Sequence, residues 1–285
     1  MNFIEWLRII IIGIVEGVTE WLPVSSTGHM ILVRTFWETK VPEIITPEFW
    51  SMFEVVIQLG AILAVVTIFF HKLNPWSPKK TEEQKKNTFS LWGKVIVGCI
   101  PAGIAGLLLD DWMDAHLYNA YVVATMLIIY GIAYIVVENR HKGKSYKINK
   151  FSELSYQMAL YIGLIQVLSL IPGTSRSGVT IVGALMLGCS RYIAAEYTFY
   201  LAIPVMFGAS ALKMFKYLLE GGGFAGPQLP ILIVGSVVAY LVSIFVIKFL
   251  MGYIKKHDFK VFGYYRIALG ILVFIIFIIT GKSAV

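Results

Sequence analysis

The sequence predicts an all-α integral membrane protein built as an inverted repeat, in which each half has one re-entrant helix–loop–helix hairpin and three transmembrane helices. Two observations carry this prediction. The first is composition: of 285 residues, 58% are hydrophobic and only 14% are charged, with a mean hydropathy of +0.75. A soluble domain of this length needs far more polar surface. The second is a set of motifs that recurs at a constant spacing along the chain.

Six segments are long enough and apolar enough to cross a bilayer, which takes about 20 residues. Residues 1–37 and 154–190 differ, because a polar break separates two apolar legs and the second leg, about 24–37 or about 178–189, is short. Irregular backbone at membrane depth is tolerated only where it is buried in protein or lines a cavity. We therefore predict two hairpins that each enter and leave on one side. The predicted spans are about 51–70, 92–109, 119–137, 197–217, 229–250 and 263–281.

The two halves share residue types at a constant offset of 150 positions, within the first leg and the polar break of each hairpin. The tripeptide "IVG" also occurs at 96–98 and again at 233–235. Because each half has three full spans, an odd number, the halves must be inverted in the membrane. Inverted repeats with broken helices place a binding site at their interface near the midplane. We therefore predict two repeats, 1–150 and 151–285, whose polar breaks form one site. The matched pairs are Gly13 and Gly163, Glu16 and Gln166, Ser25 and Ser175, Thr27 and Ser177, and Gly28 and Gly178.

The basic residues predict the orientation, because cytoplasmic loops carry an excess of lysine and arginine. They cluster after the first, third and fifth spans, which we therefore place on the cytoplasmic side. The loop with Asp110, Asp111 and Asp114, the loop 221–230 and both termini then face the exterior. The first hairpin enters from outside and the second from the cytoplasm. The clustered basic residues are Lys72, Lys79, Lys80, Lys85, Lys86, Arg140, Lys142, Lys144, Lys147, Lys150, Lys255, Lys256 and Lys260.

Charge and cysteine content exclude several other classes of protein. The net charge of +7 is confined to a few loops, which indicates membrane topology rather than nucleic-acid binding. Cys99 and Cys189 lie in apolar segments and predict neither a disulfide framework nor a zinc site. Glu16 and Glu20 interrupt the apolar N-terminal stretch, and no small-residue cleavage site follows. We therefore expect mature sequence there rather than a signal peptide.

Both polar breaks place hydroxyl residues at the start of the second leg, where N-cap residues belong. A helix N-terminus offers free N–H groups and the positive end of the helix dipole, so it binds anions. Two such ends that meet from opposite sides would cradle a phosphate. Glu54 and Gln58, in the first full span, would border this site. The predicted phosphate-binding residues are Ser25, Thr27, Gly28, Gly173, Thr174, Ser175, Ser177, Thr180, Glu54 and Gln58.

The catalytic candidates are the ionisable and nucleophilic side chains of the same two breaks. Arg176 supplies a planar cationic fork suited to phosphate, and inside a membrane it needs a partner such as phosphate, Glu16 or Glu20. Glu16 and Glu20 are four residues apart and share a helix face. His29 can exchange a proton near neutral pH. Ser26 or Ser25 could act as a nucleophile beside a base. On a helical first turn Ser26 and His29 face the same side, which predicts a nucleophile–base pair and leaves Ser25 to cap the helix.

Each of these residues could instead have a purely structural role. Serine and threonine clusters in membrane helices often hold helices together. A lone membrane histidine is often structural, Arg176 could pair with a glutamate to lock the two halves, and Glu54 could be protonated and structural. The recurrence of polar residue types in both halves favours the functional reading. We predict that Arg34, Arg191 and Arg266 are interfacial or loop charges without a role in the site.

The motifs "EGVTE", "PVSSTGH" and "PGTSRSGVT", together with "FEVVIQLGAILAVV" at 53–66, resemble the signature motifs of the undecaprenyl-pyrophosphate phosphatase family, also called bacitracin-resistance proteins. The resemblance covers essentially the whole chain. It implies hydrolysis of the C55 isoprenoid diphosphate to the monophosphate at the extracytoplasmic side of the bacterial inner membrane. This reaction recycles the lipid carrier for peptidoglycan and other wall polymers.

The resemblance also implies roles for individual residues. Glu16 and Glu20 match the family's acidic motif, Ser26 and His29 match its proposed catalytic pair, and Arg176 matches its phosphate-binding arginine. The family's dependence on a divalent cation implies Mg²⁺ or Ca²⁺, for which Glu16 and Glu20 are the candidate ligands; alternatively, these carboxylates set the protonation state of His29. No organic cofactor is implied. The expected partners are the isoprenoid diphosphate and membrane lipids, with a homodimer as an open alternative, and no nucleic acid.

Two other functions stay open at this point. Inverted repeats are common in transporters, so a lipid-carrier flippase or transporter with a diphosphate site at the midplane is the main alternative. A third hypothesis is a structural membrane scaffold without catalytic or transport activity. The choice between serine and water as the nucleophile is also open. Release of phosphate by the purified protein in detergent separates the phosphatase from the others, because a flippase alone releases none.

Overall fold

The structure, a computed structural model, describes residues 3–36, 46–143, 145–224 and 226–280. Over these ranges the chain is helical throughout, apart from connecting segments and one isolated bridge between Ile148 and Cys189. Six helical stretches are long and apolar enough to cross a membrane. The helices are α1 Phe3–Thr19, α2 Ser26–Phe36, α3 Pro47–Val56, α4 Gln58–Ile68, α5 Phe70–Leu73, α6 Glu82–Leu117, α7 Ala120–His141, α8 Tyr156–Gln166, α9 Arg176–Met186, α10 Arg191–Leu219, α11 Gln228–Tyr253 and α12 Lys260–Thr280, with a 3₁₀ turn Val167–Leu170 after α8.

The fold class is therefore confirmed as all-α with six apolar helical stretches, but two predicted spans differ in detail. The first is divided at Ile57 into α3 and α4, where the amide of Gly60 bonds the Ile57 carbonyl in a tighter turn. The second predicted span is part of the much longer α6. Its start is set by a capping box, in which Thr81 and Gln84 exchange side-chain bonds to each other's backbone N–H. Apolar content alone cannot detect such a polar helix start.

The predicted acidic loop after the second span is wrong, because α6 continues as helix to Leu117. Only Tyr118 and Asn119 connect it to α7, and the Asn119 side chain caps α7 by accepting from the N–H of Val122 at 3.0 Å. Asp110, Asp111 and Asp114 thus belong to a helix end rather than to a loop, and their side chains lie outside the described part of the structure. The side chain of Arg34 lies outside it too.

The long helices pack in pairs through glycines that bring their backbones together. α7 packs along α12, α1 along α11, and α8 along α6. A Cβ added at Gly131 of α7 would lie 2.7 Å from the carbonyl oxygen of Gly263, and one added at Gly163 of α8 would lie 2.3 Å from that of Gly98. Small residues permit such close crossings of membrane helices.

Each segment predicted as a hairpin contains two helices that contact each other, α1 with α2 and α8 with α9. In each, a residue with an unusual backbone precedes the second helix: Ser25 has φ 73° and Ser175 has φ 69°. No other non-glycine residue in the described ranges has a positive φ. Each serine caps its helix, since the N–H of Gly28 donates to Ser25 Oγ at 3.4 Å and that of Gly178 donates to Ser175 Oγ at 3.2 Å. The left-handed conformation is rare for a residue with a Cβ, and it turns the chain sharply into the helix.

Polar contacts tie together the loops at one end of the molecule. Arg191 makes a double hydrogen bond to the buried carboxylate of Glu138, with a shortest distance of 2.6 Å, and Glu138 also accepts from the N–H of Phe259. Lys72 pairs with the buried Glu196 at 2.6 Å. Arg191, predicted as an interfacial or loop charge, thus begins α10 and binds a carboxylate of α7. Cys99 and Cys189 are both free, as predicted.

Candidate active site

The tips of the two hairpins meet at the carboxylate of Glu20, which directly follows α1. Arg176 Nη2 donates to Glu20 Oε1 at 3.0 Å, and Ser26 Oγ donates to Glu20 Oε2 at 3.1 Å. Ser177 Oγ also donates to the backbone carbonyl of Glu20 at 3.1 Å. Residues from both polar breaks therefore share one carboxylate. This proximity is what the prediction of one site shared by the two breaks requires.

The guanidinium of Arg176 is largely buried and is held from a second side. Its Nη1 donates to the carbonyl of Thr198 on α10 at 2.9 Å. Thr180, one turn further along α9, donates its hydroxyl to the Arg176 carbonyl at 2.8 Å and accepts from the Thr198 hydroxyl at 2.9 Å. These bonds fix the base of α9 against α10. The Nε of Arg176 is buried and has no hydrogen-bond partner in the structure.

Arg266 lies behind both hairpin tips, and it is the main residue that the sequence analysis missed. It is 0% exposed, and its Nη2 donates to the carbonyls of Gly173 and Thr174 at 2.9 Å each. Its Nη1 lies 3.4 Å from the carbonyl of Pro23 in the first hairpin. The prediction that Arg266 is an interfacial charge is therefore wrong. One signal could have found it: an arginine inside an apolar span is expensive unless it faces protein or a cavity.

Arg266 also explains why glycine is found at position 178 of α9. A Cβ at Gly178 would lie 2.9 Å from Arg266 Nη1. The carbonyl of Gly178 accepts from the buried hydroxyl of Tyr134 at 3.0 Å. The loop carbonyls of Gly173 and Thr174 thus turn toward Arg266, and the Gly178 carbonyl of α9 turns toward Tyr134. Because carbonyls repel anions, this arrangement favours an anion at the opposite, N–H side of the helix start.

The predicted pairing of Ser26 with His29 is not formed. His29 Nδ1 lies 2.7 Å from the carbonyl of Ser25, and its Nε2 lies 2.7 Å from the hydroxyl of Tyr265 on α12. The base nearest to the Ser26 hydroxyl is instead the carboxylate of Glu20. Ser26 and His29 do lie on the first turn of α2, but the His29 ring bonds the carbonyl of Ser25, and Ser26 bonds Glu20, which directly follows α1.

Glu16 lies one turn before Glu20 and is 1% exposed. Its Oε1 is buried without a hydrogen-bond partner, and it is close enough to Glu20 and Glu54 for their charges to interact. Glu54 Oε1 accepts from the Trp50 indole at 3.1 Å. Gln166, at the matching position of the second hairpin, is 0% exposed, and both amide atoms of its side chain are without partners. Buried orphan polar atoms call for a ligand or water.

The other predicted phosphate-binding residues, except Gln58, lie in the loops before α2 and α9 or near the starts of these helices. Gly173 has φ 86° and sits where a Cβ would lie 2.5 Å from the Val123 carbonyl oxygen, so only glycine fits. Thr174 is buried, and its hydroxyl has no partner. Gln58 is partly buried and begins α4, one turn after Glu54. The remaining predicted phosphate-binding residues are Ser25, Thr27, Gly28, Ser175, Ser177 and Thr180.

The arrangement is suited to phosphoryl transfer. It brings together a hydroxyl, a carboxylate that can take its proton, a cationic fork and two helix N-termini. Phosphoryl transfer needs an aligned nucleophile and positive charge around the phosphoryl oxygens, and little other covalent chemistry.

Comparison with known proteins identifies the family. The model of the family "Bacitracin resistance protein BacA" matches residues 9–272. A protein of Enterococcus faecalis (strain ATCC 700802 / V583) named undecaprenyl-diphosphatase is 55% identical over 270 residues, which cover 95% of this chain and 96% of that protein. Proteins of the same name from Streptococcus thermophilus (strain ATCC BAA-250 / LMG 18311) and Leuconostoc citreum (strain KM20) are 56% and 53% identical, over 95% of this chain and 92% and 96% of their own lengths. The chain therefore belongs to the bacitracin resistance protein BacA family.

Proposed function

We propose that this protein is a membrane phosphatase that hydrolyses undecaprenyl diphosphate to undecaprenyl phosphate and inorganic phosphate. The observation that carries the proposal is the hydrogen-bonded chain from Ser26 through Glu20 to Arg176, which joins the two hairpins. The names of the relatives give the substrate. The reaction would recycle the lipid carrier for peptidoglycan synthesis, and it would confer resistance to bacitracin, as the family's name implies.

In the proposed mechanism, Ser26 Oγ attacks the terminal phosphorus of the diphosphate while Glu20 accepts the hydroxyl proton. The bond between that phosphorus and the bridging oxygen breaks, and undecaprenyl phosphate leaves. Water then cleaves the phosphoserine: His29 takes a proton from the attacking water, Glu20 returns its proton to Ser26 Oγ, and inorganic phosphate is released. Arg176 and the first-turn N–H groups of α2 and α9 stabilise the charge on the phosphoryl oxygens. In the alternative mechanism, Ser26 positions the attacking water.

A divalent cation fits this site as a third source of positive charge. Magnesium is usually bound by one or two carboxylates together with phosphate oxygens. Within the described ranges, no group of three His, Cys, Asp or Glu side chains is placed to hold a metal, so the protein would supply two carboxylates at most. Glu16, with its orphan Oε1, and Glu20 would hold Mg²⁺ or Ca²⁺. When bound, the ion would neutralise charge on the diphosphate.

The inverted repeat is part of the proposal, and equivalent helix crossings support it. Gly13 of α1 packs against the backbone of Gly235 in α11, and Gly163 of α8 packs against that of Gly98 in α6. Gly13 matches Gly163 in the repeat, and Gly98 and Gly235 end the two copies of "IVG". The same crossing thus occurs twice, each time between a hairpin of one half and a span of the other.

We also propose that both termini and the opening of the site face the periplasm, or the cell exterior, of a bacterial inner membrane. Contacts with α7 and with the start of α10 link the three lysine-rich segments: Lys72 bonds Glu196, Ile148 pairs with Cys189 just before α10, and Phe259 bonds Glu138, which also binds Arg191. If all three lysine-rich segments face the cytoplasm, they must lie at the same end of the molecule, and these contacts support that. A homodimer stays a prediction, which light scattering of the purified protein checks.

The test is phosphate release from undecaprenyl diphosphate by the purified protein in detergent, with Ser26→Ala as the matched variant. We expect release by the wild type and a loss on the order of 10²-fold in the variant. Absence of release by a folded wild-type protein, with carrier movement across a sealed vesicle, would establish the flippase instead. Capture of ³²P on Ser26 would separate serine attack from attack by water.

A further inference from the structure

His29 is held at both ring nitrogens by groups that differ in what they can donate. Nδ1 lies 2.7 Å from the backbone carbonyl of Ser25. A carbonyl oxygen carries no proton, so Nδ1 must carry the hydrogen of this bond. In the neutral imidazole Nε2 then holds the lone pair, and the Tyr265 hydroxyl, 2.7 Å away, donates to it.

The Tyr265 ring also restrains the orientation of the imidazole. The two rings are nearly parallel, with an interplanar angle of 6° and centroids 5.6 Å apart. Tyr265 comes from α12, 236 positions further along the chain, and it directly precedes the buried Arg266. The bonds of Arg266 to both hairpin tips therefore also fix the stretch of α12 that carries Tyr265.

We propose that Tyr265 is a positioning residue for the proposed phosphatase reaction: the Ser25 carbonyl keeps the proton on Nδ1, and Tyr265 holds the imidazole with its proton-accepting Nε2 toward α12. The basic atom of His29 consequently faces α12 rather than the Ser26 hydroxyl. Proton exchange by His29 takes place on the α12 side of the site, while Glu20 serves Ser26. The role of Tyr265 rests on the proposed function, because it acts through His29 in that reaction.

The first test measures the histidine directly and needs no activity. The chain has five histidines, so ¹⁵N-histidine labelling of the wild type and of His29→Ala in detergent identifies the His29 signals by difference. We expect a protonated Nδ1 and an unprotonated, hydrogen-bonded Nε2 at a pH where the ring is neutral. A proton on Nε2 instead would overturn the proposal, whatever the enzyme assay shows.

The second test compares Tyr265→Phe with Tyr264→Phe, a neighbouring and more exposed tyrosine (60% against 46%). Loss of orientation of a reacting group costs up to about 10²-fold, so we expect kcat of Tyr265→Phe to fall at least about tenfold, with KM and melting temperature unchanged. Tyr264→Phe should keep the wild-type kcat. If the wild type released no phosphate, the proposed function would be contradicted. The labelling experiment would still report the orientation of His29, because it does not depend on activity.

The third test separates positioning from a general structural role. In a His29→Ala background, Tyr265→Phe should cause no further loss of kcat, since there is no imidazole left to orient. An equal loss in both backgrounds, or a wild-type kcat for Tyr265→Phe alone, would contradict the proposal.

Discussion

At the scale of single residues, Arg176 is bound on both arms of its guanidinium, by Glu20 and by the Thr198 carbonyl. Lysine keeps the charge but offers a point cation that cannot hold two planar partners or two phosphate oxygens together. We expect Arg176→Lys to lower kcat on the order of 10²-fold, as for a lost donor to a developing charge. Phosphate release and the melting temperature of the purified variant check this. Near-wild-type turnover would remove Arg176 from the catalytic site.

The two adjacent serines of the first hairpin should respond differently to the same change. Ser25 caps α2, so Ser25→Ala should cost about 1 kcal/mol of stability and leave much of the turnover. Ser26 contacts Glu20, so Ser26→Ala should cost on the order of 10²-fold in turnover and little stability. Ser175 caps α9 in the same way, so Ser175→Ala is the matched variant and should show a similar loss of stability.

The same assay tests the partner of Ser26. If Ser26 and Glu20 act as one unit, the double variant Ser26→Ala, Glu20→Gln should be little worse than either single variant. Multiplying losses would mean that the two residues act separately. A dead Ser25→Ala beside an active Ser26→Ala would show that the nucleophile is Ser25.

At the scale of elements, Arg266 ties α12 to the tips of both hairpins. Arg266→Lys keeps a cation but cannot reach three carbonyls, and each buried carbonyl left without a donor costs about 1–3 kcal/mol. We expect a lower melting temperature and lower phosphate release together. Arg140→Lys, on the exposed end of α7, is the control and should change neither. Unchanged stability in Arg266→Lys would mean that the loops do not depend on this side chain.

Close crossing of α8 and α6 depends on the absence of a side chain at Gly163. A methyl group there would lie 2.3 Å from the Gly98 carbonyl oxygen, so Gly163→Ala must push the helices apart and move the second hairpin. We expect a destabilisation of about 1–3 kcal/mol, typical of overpacking, and a loss of phosphate release. Gly103→Ala in α6 meets open space and should be neutral or stabilising. Equal melting temperatures for the two variants would contradict this.

At the scale of the whole molecule, the orientation can be tested by cysteine labelling in intact cells. In a background with Cys99→Ala and Cys189→Ala, an impermeant maleimide should label Gly223→Cys, in the loop proposed to be external. It should label Lys79→Cys and Lys256→Cys only after the membrane is permeabilised. The reverse pattern would invert the topology and place the opening of the site toward the cytoplasm.

The sequence by itself determined the membrane class, and it predicted hydroxyl caps at the starts of α2 and α9, with Ser25 as the cap of α2. It also predicted that the two polar breaks belong to one site. Each of these depends on information that is local or periodic: hydropathy over about 20 residues, cap residues at helix starts, and a repeated motif. The same kind of information failed at Asp110, Asp111 and Asp114, which were predicted in a loop, because apolar content does not show where a helix with polar ends such as α6 begins or ends.

The tertiary structure decided which side chain each reactive group contacts. Ser26 meets Glu20 rather than His29, His29 meets Tyr265, and Arg266 supports both hairpin tips. All three arrangements depend on a helix crossing or a strained turn that no local pattern specifies. Spacing along one helix limits which residues can share a face. The partner is chosen by whichever distant helix fills the space beside it, and glycines such as Gly163 and Gly131 set how closely that helix approaches.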